Sequence, residues 1–596
     1  MTADSECSGG SVMLAPLRAV IVCSIVTLFQ IASTAHAQWI ADGVPVCTDA
    51  SSQIFMVTVP DGSGGTIVVW EDNRGGIAHV YAQRIDATGA PRWATNGVLV
   101  SSAAFDAGEP VATADAYGGV IVVYVQDRQY VGGLVQSDLF AQRLNSLGVQ
   151  QWGAGGVGVC QADNVQLYPK IVSDFRDPSA PPGPGAIVTW ADHRGASDGD
   201  IYAQAIASDG TMRYATNGLP VCTDAARQAS PIIVTDGSGI GGGPKGCIIV
   251  WADSRSGNGN DDLYAQRLSP AGTPQWGSNG APVCTDPSHL SGHTATYIGS
   301  GTAIVSWVDR RNVVEDLYAQ RIGTAPWVAN GVPVSAAPDG QGTPMMVADG
   351  TGGVIVGWPD GRPGNQFDVY AQRMDGAGSA RWATDGIPLC VAVRNQGPPI
   401  MVSDGARGAI MAWEDTRTSP SNLPQDRRTD VYAQHVDSAG VARWGTSGFP
   451  VCTSTGNQIH VQVVSDAAGG AIATWLDTRN GNTDIYTQRI TAGAGAVDVG
   501  PIAAASRSIE VYPNPVRADL TIRFGLAVAR SVTAQVLSVD GRLVQTLADG
   551  RSFPAGDGEL RWDLRDSAGK RVPIGVYFVR VEAGAESGTR RILVVE

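Results

Sequence analysis

Residues 251–267 read WADSRSGNGNDDLYAQR, and the reading of this stretch decides the fold. A tryptophan, an aspartate and an arginine alternate (Trp251, Asp253, Arg255), a glycine-rich gap follows, and the stretch closes on Asp-Leu-Tyr-Ala-Gln-Arg. Taken alone, the acids and the base could be a site. The rest of the chain argues for framework, because the stretch recurs. Trp70-Asp72-Arg74 precedes VYAQR, and Trp190-Asp192-Arg194 precedes DIYAQ. The same order returns at Trp307-Asp309-Arg311, Trp358-Asp360-Arg362, Trp413-Asp415-Arg417 and Trp475-Asp477-Arg479. A degenerate copy, with Tyr124 for tryptophan and Gln126 for aspartate, brings the number to eight, spaced 51 to 66 residues apart.

Each copy reads as four short strands. The first ends in a turn such as VSDGARG (402–408), and the second is an apolar run ending at the tryptophan. The third is Asp-x-Tyr-Ala-Gln-Arg, and the fourth resembles RWATNGVLV (92–100) after a glycine turn such as that at Gly89. Apolar runs of four or five residues fit strands buried on both faces. Four-stranded sheets packed face to face around an axis bury both faces, so the pattern predicts an all-β, eight-bladed β-propeller. The eighth copy lacks a fourth strand, and QWIADGVPVC (38–47) supplies one: Trp39, Gly43 and Cys47 match Trp444, Gly448 and Cys452. The amino-terminal strand is therefore expected to complete the last blade, which would leave no open edge.

In a strand, residues i, i+2 and i+4 share a face. The repeated tryptophan, aspartate and arginine thus point one way, as a buried ring and an ion pair that pins the next turn. A feature present in every copy does not single out one active site. Function is expected in the loops that differ: 129–137 and 418–429 between the second and third strands, and 175–185 and 237–246 between the first and second. The polar insertion at 418–429 carries Asp426, Arg427 and Arg428.

Composition narrows the classes. The chain has 596 residues, 43% hydrophobic and 16% charged, with 75 glycines and a formal charge of −15. That fits a folded, turn-rich array and disfavours nucleic acid, whose phosphates an acidic surface repels. Arg18, the apolar run 19–32 and Ala35-His36-Ala37 read as a secretory signal peptide cleaved between Ala37 and Gln38, with Met13 as an alternative start. No later segment has the length and apolarity of a membrane span. Six cysteines occupy one repeated position and read as small buried thiols.

Candidate chemistry is sparse. His289 and His293 are weak candidate metal ligands, in a strand context and with no intervening glutamate. No organic cofactor is implied; calcium is open, through Asp-Gly turns such as 61–65, though none has the spacing of an EF-hand loop. Nucleophile-elbow, phosphate-loop and His-Glu-x-x-His motifs are missing from the sequence, so no catalytic residue is assigned. The favoured function is binding or adhesion to a polysaccharide or protein, or a structural display role. The alternative is a glycosidase-like enzyme using carboxylates in the propeller channel.

Beyond the Ala/Gly-rich linker at 490–508 the repeat stops. About seven strands in under ninety residues suggest an immunoglobulin-like sandwich over 509–596. Tyr512-Pro513-Asn514-Pro515, the hairpin around Asp540-Gly541, the segment WDLRDSAGKRVPIGVYFVRV with Gly575 and Tyr577, and the terminal RRILVV resemble the type A sorting domain of the type IX secretion system. They are also similar to the Ig-like domain of flagellar hook-capping proteins. Arg590 and Arg591 stand where many sorting domains carry a lysine. The repeat region resembles that of cargo of this kind. The resemblance implies the outer-membrane secretion machinery as a partner, and release to the medium or the outer surface of a Gram-negative-type bacterium.

Overall fold

In the computed structural model every regular element among the described residues is a β-strand. It describes residues 39–101, 104, 106–131, 134–174, 185–194, 199–237, 245–257, 259–362, 364, 366–420, 428–493, 510–512, 514–526, 530–538, 542–554, 556–583 and 586–595. The signal-peptide segment with Ala37 and Gln38 lies outside these residues, as do Asp426, Arg427, Pro513, Asp540 and Gly541. The chain divides into two compact units, residues 1–494 and 495–596.

The described residues of the first unit form eight four-stranded antiparallel sheets, which resemble propeller blades. Sheets 1 to 7 follow the chain, each strand pairing with the next in sequence. Sheet 4, for example, is Gln228–Thr235, Cys247–Asp253, Asp262–Leu268 and Ala281–Cys284. Sheet 8 takes three strands from Gln458–Ile490 and its fourth, Val44–Cys47, from the amino terminus, antiparallel to Asp484–Ile490. The first strand of each sheet touches the first strand of the next, and that of sheet 8 touches that of sheet 1, so the order of neighbours is cyclic.

The second strands explain the apolar runs. Ile248, Ile249, Val250 and Trp251 are all fully buried, because both faces of the strand meet neighbouring sheets. The first strands carry a repeated irregularity. At Phe55, Glu109, Tyr168, Ser230 and His460 the backbone has φ between 47° and 55°, where the register with the second strand slips. Such bulges turn the strand and leave one side chain outside the ladder.

Two expectations change. The fourth strands are two to four residues long rather than the full RWATNGVLV stretch. Trp93 to Gly97 turn instead, with positive φ at Asn96 and Gly97, because Gly97 passes against Trp70, where a Cβ would lie 2.5 Å from the ring. The 129–137 segment also lengthens a hairpin, Val120–Val131 with Leu134–Leu144, rather than forming a separate loop.

The second unit contains a three-stranded sheet, ordered Glu510–Tyr512, Leu520–Leu526, Gly556–Trp562, and a four-stranded sheet built on Arg530–Ser538 and Gly575–Ala583. Leu520, Ile522 and Trp562 from the first share one core with Val536, Val579 and Val581 from the second.

Candidate functional site

The opening stretch forms a clamp. Trp251 Nε1 donates to Asp253 Oδ2 at 2.8 Å, and the backbone N–H of Arg255 donates to Asp253 Oδ1 at 3.0 Å. The Arg255 guanidinium grips both carboxylate oxygens, lies 3.8 Å from the centre of the Tyr264 ring, and donates to the Asn279 carbonyl at 3.1 Å. It also approaches Cys222 Sγ at 3.1 Å, on the fourth strand of the preceding sheet. One residue triplet thus ties the second strand to the third, to the turn before the fourth, and to the neighbouring sheet. The indole–carboxylate bond recurs at 2.7 to 3.0 Å in the other six tryptophan copies.

The clamp sets its own protonation. Burial would raise the Asp72 and Asp309 carboxyls, but hydrogen bonds from Arg74 and Trp70, and from Arg311 and Trp307, outweigh it and hold both below the ordinary carboxylate range. The clamp cysteines move the other way: burial pushes Cys47, Cys160, Cys390 and Cys452 up to about 12. All seven cysteines among the described residues are free and buried. In the degenerate copy the Tyr124 hydroxyl donates to the Gly155 carbonyl at 2.7 Å, the carbonyl position that Arg74 reaches in sheet 1 through Asn96.

A second repeated contact joins neighbouring sheets. Trp93 packs on Gly148 of the next sheet, and its Nε1 donates to Ser146 O at 3.1 Å. Trp152, Trp327 and Trp382 do the same one sheet on. Trp39 repeats it from the amino-terminal segment of sheet 8 to sheet 1: it packs on Gly89 and donates to Ala87 O at 3.1 Å, while its backbone N–H donates to Gln488 Oε1 at 3.1 Å. Arg479 donates to Asp42 O at 2.9 Å, completing in sheet 8 the contact Arg74 makes in sheet 1. Sheet 5 has a shortened turn at Gly323–Pro326, and a groove of about 310 Å³ opens there beside Trp276.

The calcium expectation rested on turn carboxylates. Asp61 Oδ1 accepts from the N–H groups of Ser63 and Gly65 at 2.8 Å each, and Oδ2 takes Arg84 at 2.9 Å. These oxygens already serve the hairpin and the Tyr-Ala-Gln-Arg strand.

His289 and His293 line one recess of about 450 Å³ between the first strands of sheets 3, 4 and 5. His293 Nε2 donates to Ser230 O at 3.0 Å, so that nitrogen is occupied, and burial lowers the ring's pKa to about 4, leaving it neutral at pH 7. Among the described residues no three histidine, cysteine or carboxylate side chains are grouped to hold a metal. The recess also holds Tyr168, Lys170, Ser230 and Asp261. Tyr168 is 56% exposed. Lys170 opens to solvent, and burial alone acts on its amine, pushing its pKa down; no hydrogen bond or ion pair from the described residues reaches it. Asp261, by contrast, accepts from Arg227 at 3.2 Å and from Ser254 Oγ.

Lys170 and Tyr168 were not among the sequence candidates. The available signal was compositional: the chain has three lysines, and one falls in QLYPKIVS (166–173), where the other copies carry uncharged residues.

In the second unit Asn514 anchors the start to the end of the domain. Its Nδ2 donates to Arg591 O at 2.9 Å and its Oδ1 accepts from Leu593 N at 2.8 Å. The Tyr577 hydroxyl donates to Pro573 O at 2.9 Å, and the Tyr577 ring meets Trp562 edge-on at 5.7 Å. Gly575 opens the strand that carries Tyr577. Pro515 is exposed, and Tyr512 pairs through its backbone with Thr521.

Residues 510–595 match the family described as the secretion system C-terminal sorting domain. No curated protein matches the chain. Among solved structures, a Dyadobacter fermentans protein of unknown function aligns over 76% of this chain and 98% of its own, at 8% identity and a TM-score of 0.35. PorZ, a surface component of the type IX secretion system of Porphyromonas gingivalis, aligns over 89% and 74% at 13% identity and 0.22. The α-L-arabinofuranosidase Arb93A of Fusarium graminearum aligns over 65% and 93% at 8% identity and 0.34. The sorting domain marks the protein for the type IX secretion machinery and so for the cell surface or beyond. Among the described residues no helix is long and apolar enough to cross a membrane.

Proposed function

We propose that residues 38–489 form a closed eight-bladed propeller that acts as a displayed or released binding module. A signal peptide and an immunoglobulin-like sorting domain carry it out of the cell. The cyclic order of neighbouring sheets supports closure, as do the pairing of Val44–Cys47 with the third strand of sheet 8 and the bonds of Trp39 N to Gln488 and of Arg479 to Asp42 O. One observation carries the binding reading: the repeated Trp-Asp-Arg acids are spent on clamps, while one polar recess departs from the repeat. A glycosidase needs two carboxylates free to act on one bond. The recess has one carboxylate lining it, that of Asp261, already paired with Arg227. The reading requires no metal or organic cofactor.

The test is binding of the purified chain to an array of polysaccharides and glycoproteins, with a product assay on every hit. Saturable binding without turnover is the expected result. Turnover of a bound polymer would replace binding with catalysis, and binding to nothing on the array would leave the propeller without this role.

A further inference from the structure

The recess at the first strands of sheets 3 to 5 departs from the repeat in charge. Each first strand places one residue opposite the residue just before the clamp tryptophan or tyrosine. These are Val57, Val111, Lys170, Ile232, Thr294, Met345, Ile400 and Gln462. Seven are uncharged, and one is a lysine that no acidic side chain of the described residues pairs with. Two residues earlier the bulge sets Tyr168 out of the ladder with more than half its surface in water. Across the recess stand the Ser230 and Ser291 side chains, and neutral His293, whose Nε2–H is already donated and whose Nδ1 is left as an acceptor.

A lysine ammonium at the open side of a recess, with no counter-ion from the described residues reaching it, attracts an anionic ligand. An exposed aromatic face beside mixed donors and acceptors suits a ligand with C–H surfaces and many hydroxyls. We propose that the recess binds an acidic saccharide. Lys170 holds a ring carboxylate, Tyr168 lies against the sugar's C–H face, and Ser230 and His293 take its hydroxyls. An acidic peptide would dock instead by adding a strand to an open edge. At this position the bulges at Tyr168 and Ser230 turn the edges away from such pairing. The proposal rests on the binding reading above and names its ligand class.

The experiment is calorimetric titration of the full-length chain with three probes: trigalacturonate, the neutral galactose trisaccharide, and a short polyglutamate. Lys170→Gln, Lys170→Arg and Tyr168→Ala are run beside it, each checked for an unchanged melting curve. The expected result is saturable trigalacturonate binding, weakened at least tenfold by Lys170→Gln and by Tyr168→Ala, and kept within threefold by Lys170→Arg. The neutral sugar should bind at least tenfold more weakly than trigalacturonate to the parent chain and no differently to the Lys170 variants. Equal affinity of Lys170→Gln, equal affinity for the neutral sugar, or preference for polyglutamate would each overturn the assignment. If the chain binds another polymer on the array and Lys170→Gln leaves that affinity unchanged, the recess assignment fails while the binding reading stands; if it binds nothing, both fail.

Discussion

Trp39 and Ala87 are joined by an indole N–H to carbonyl bond of 3.1 Å, made from the amino-terminal segment that completes sheet 8 to a turn of sheet 1. The same bond links each of Trp93, Trp152, Trp327 and Trp382 to the next sheet, so the amino-terminal segment occupies a place the repeat defines. Replacing Trp39 with alanine removes the bond and the ring that packs on Gly89. The variant should melt several degrees lower and be trimmed by protease from its amino terminus. Limited proteolysis with mass spectrometry checks this, and an unchanged digestion pattern would contradict it.

Gly89 separates packing from backbone strain. Its φ is +85°, and a Cβ there would sit 2.7 Å from the Trp39 ring, whereas Gly62 has φ +76° and nothing within 4 Å. Gly62→Ala should cost about 1–2 kcal/mol for its backbone conformation alone. Gly89→Ala should cost more than that, read as a lower denaturation midpoint. Equal midpoints would mean that Trp39 does not press on the turn.

The clamp predicts a loss that one partner alone can cause. Asp253→Ala leaves the Trp251 indole N–H and the Arg255 guanidinium without their acceptor. Removing one partner of a buried pair costs about 3–5 kcal/mol, and the 18% exposure of the Arg255 side chain lowers that expectation to about 2–4 kcal/mol. Chemical denaturation measures it, and a change under 1 kcal/mol would show the clamp to be incidental.

Asp368 predicts the opposite sign. It opens the third strand of sheet 6 and is 2% exposed; burial, with Asp360 and Asp415 nearby, raises its pKa to about 6. A carboxyl whose folded pKa is raised favours the protonated fold, so its contribution weakens as pH rises from about 4 through 6. Asp368→Asn should therefore stabilise the protein at pH 7 by up to about 3 kcal/mol and flatten the stability profile between pH 4 and 6. A variant less stable than the parent at pH 7 would refute this.

The thiols give a chemical readout of the same packing. Burial raises Cys222 and Cys284 to about 11 and Cys247 further still. A disulfide reagent at pH 8 should label none of the seven cysteines of the described region in the native chain, and all of them after denaturation. Fast labelling of any one in the native chain would show a sheet junction to be open.

Much of this was legible in the sequence because the repeat is local. Trp251, Asp253 and Arg255 lie within five residues, and alternation alone puts them on one face. The complement between Trp39 and Trp444 was legible for the same reason. The fourth strand is shorter than its residues suggest: RWATNGVLV has strand-like residues, but the close passage of Gly97 over Trp70 makes its first half a turn. The recess was not legible. It joins Tyr168, Ser230 and His293 from three sheets, more than sixty residues apart in pairs, and only the bulges bring them to one place.

Where the protein goes tests the central claim, an exported binding module, most directly. The full chain and a chain lacking residues 510–595 are expressed in a bacterium with a type IX system, and medium, surface, periplasm and cytoplasm are assayed separately. The account predicts the full chain at the surface or in the medium and the shortened chain held in the periplasm. Equal export of both would contradict it.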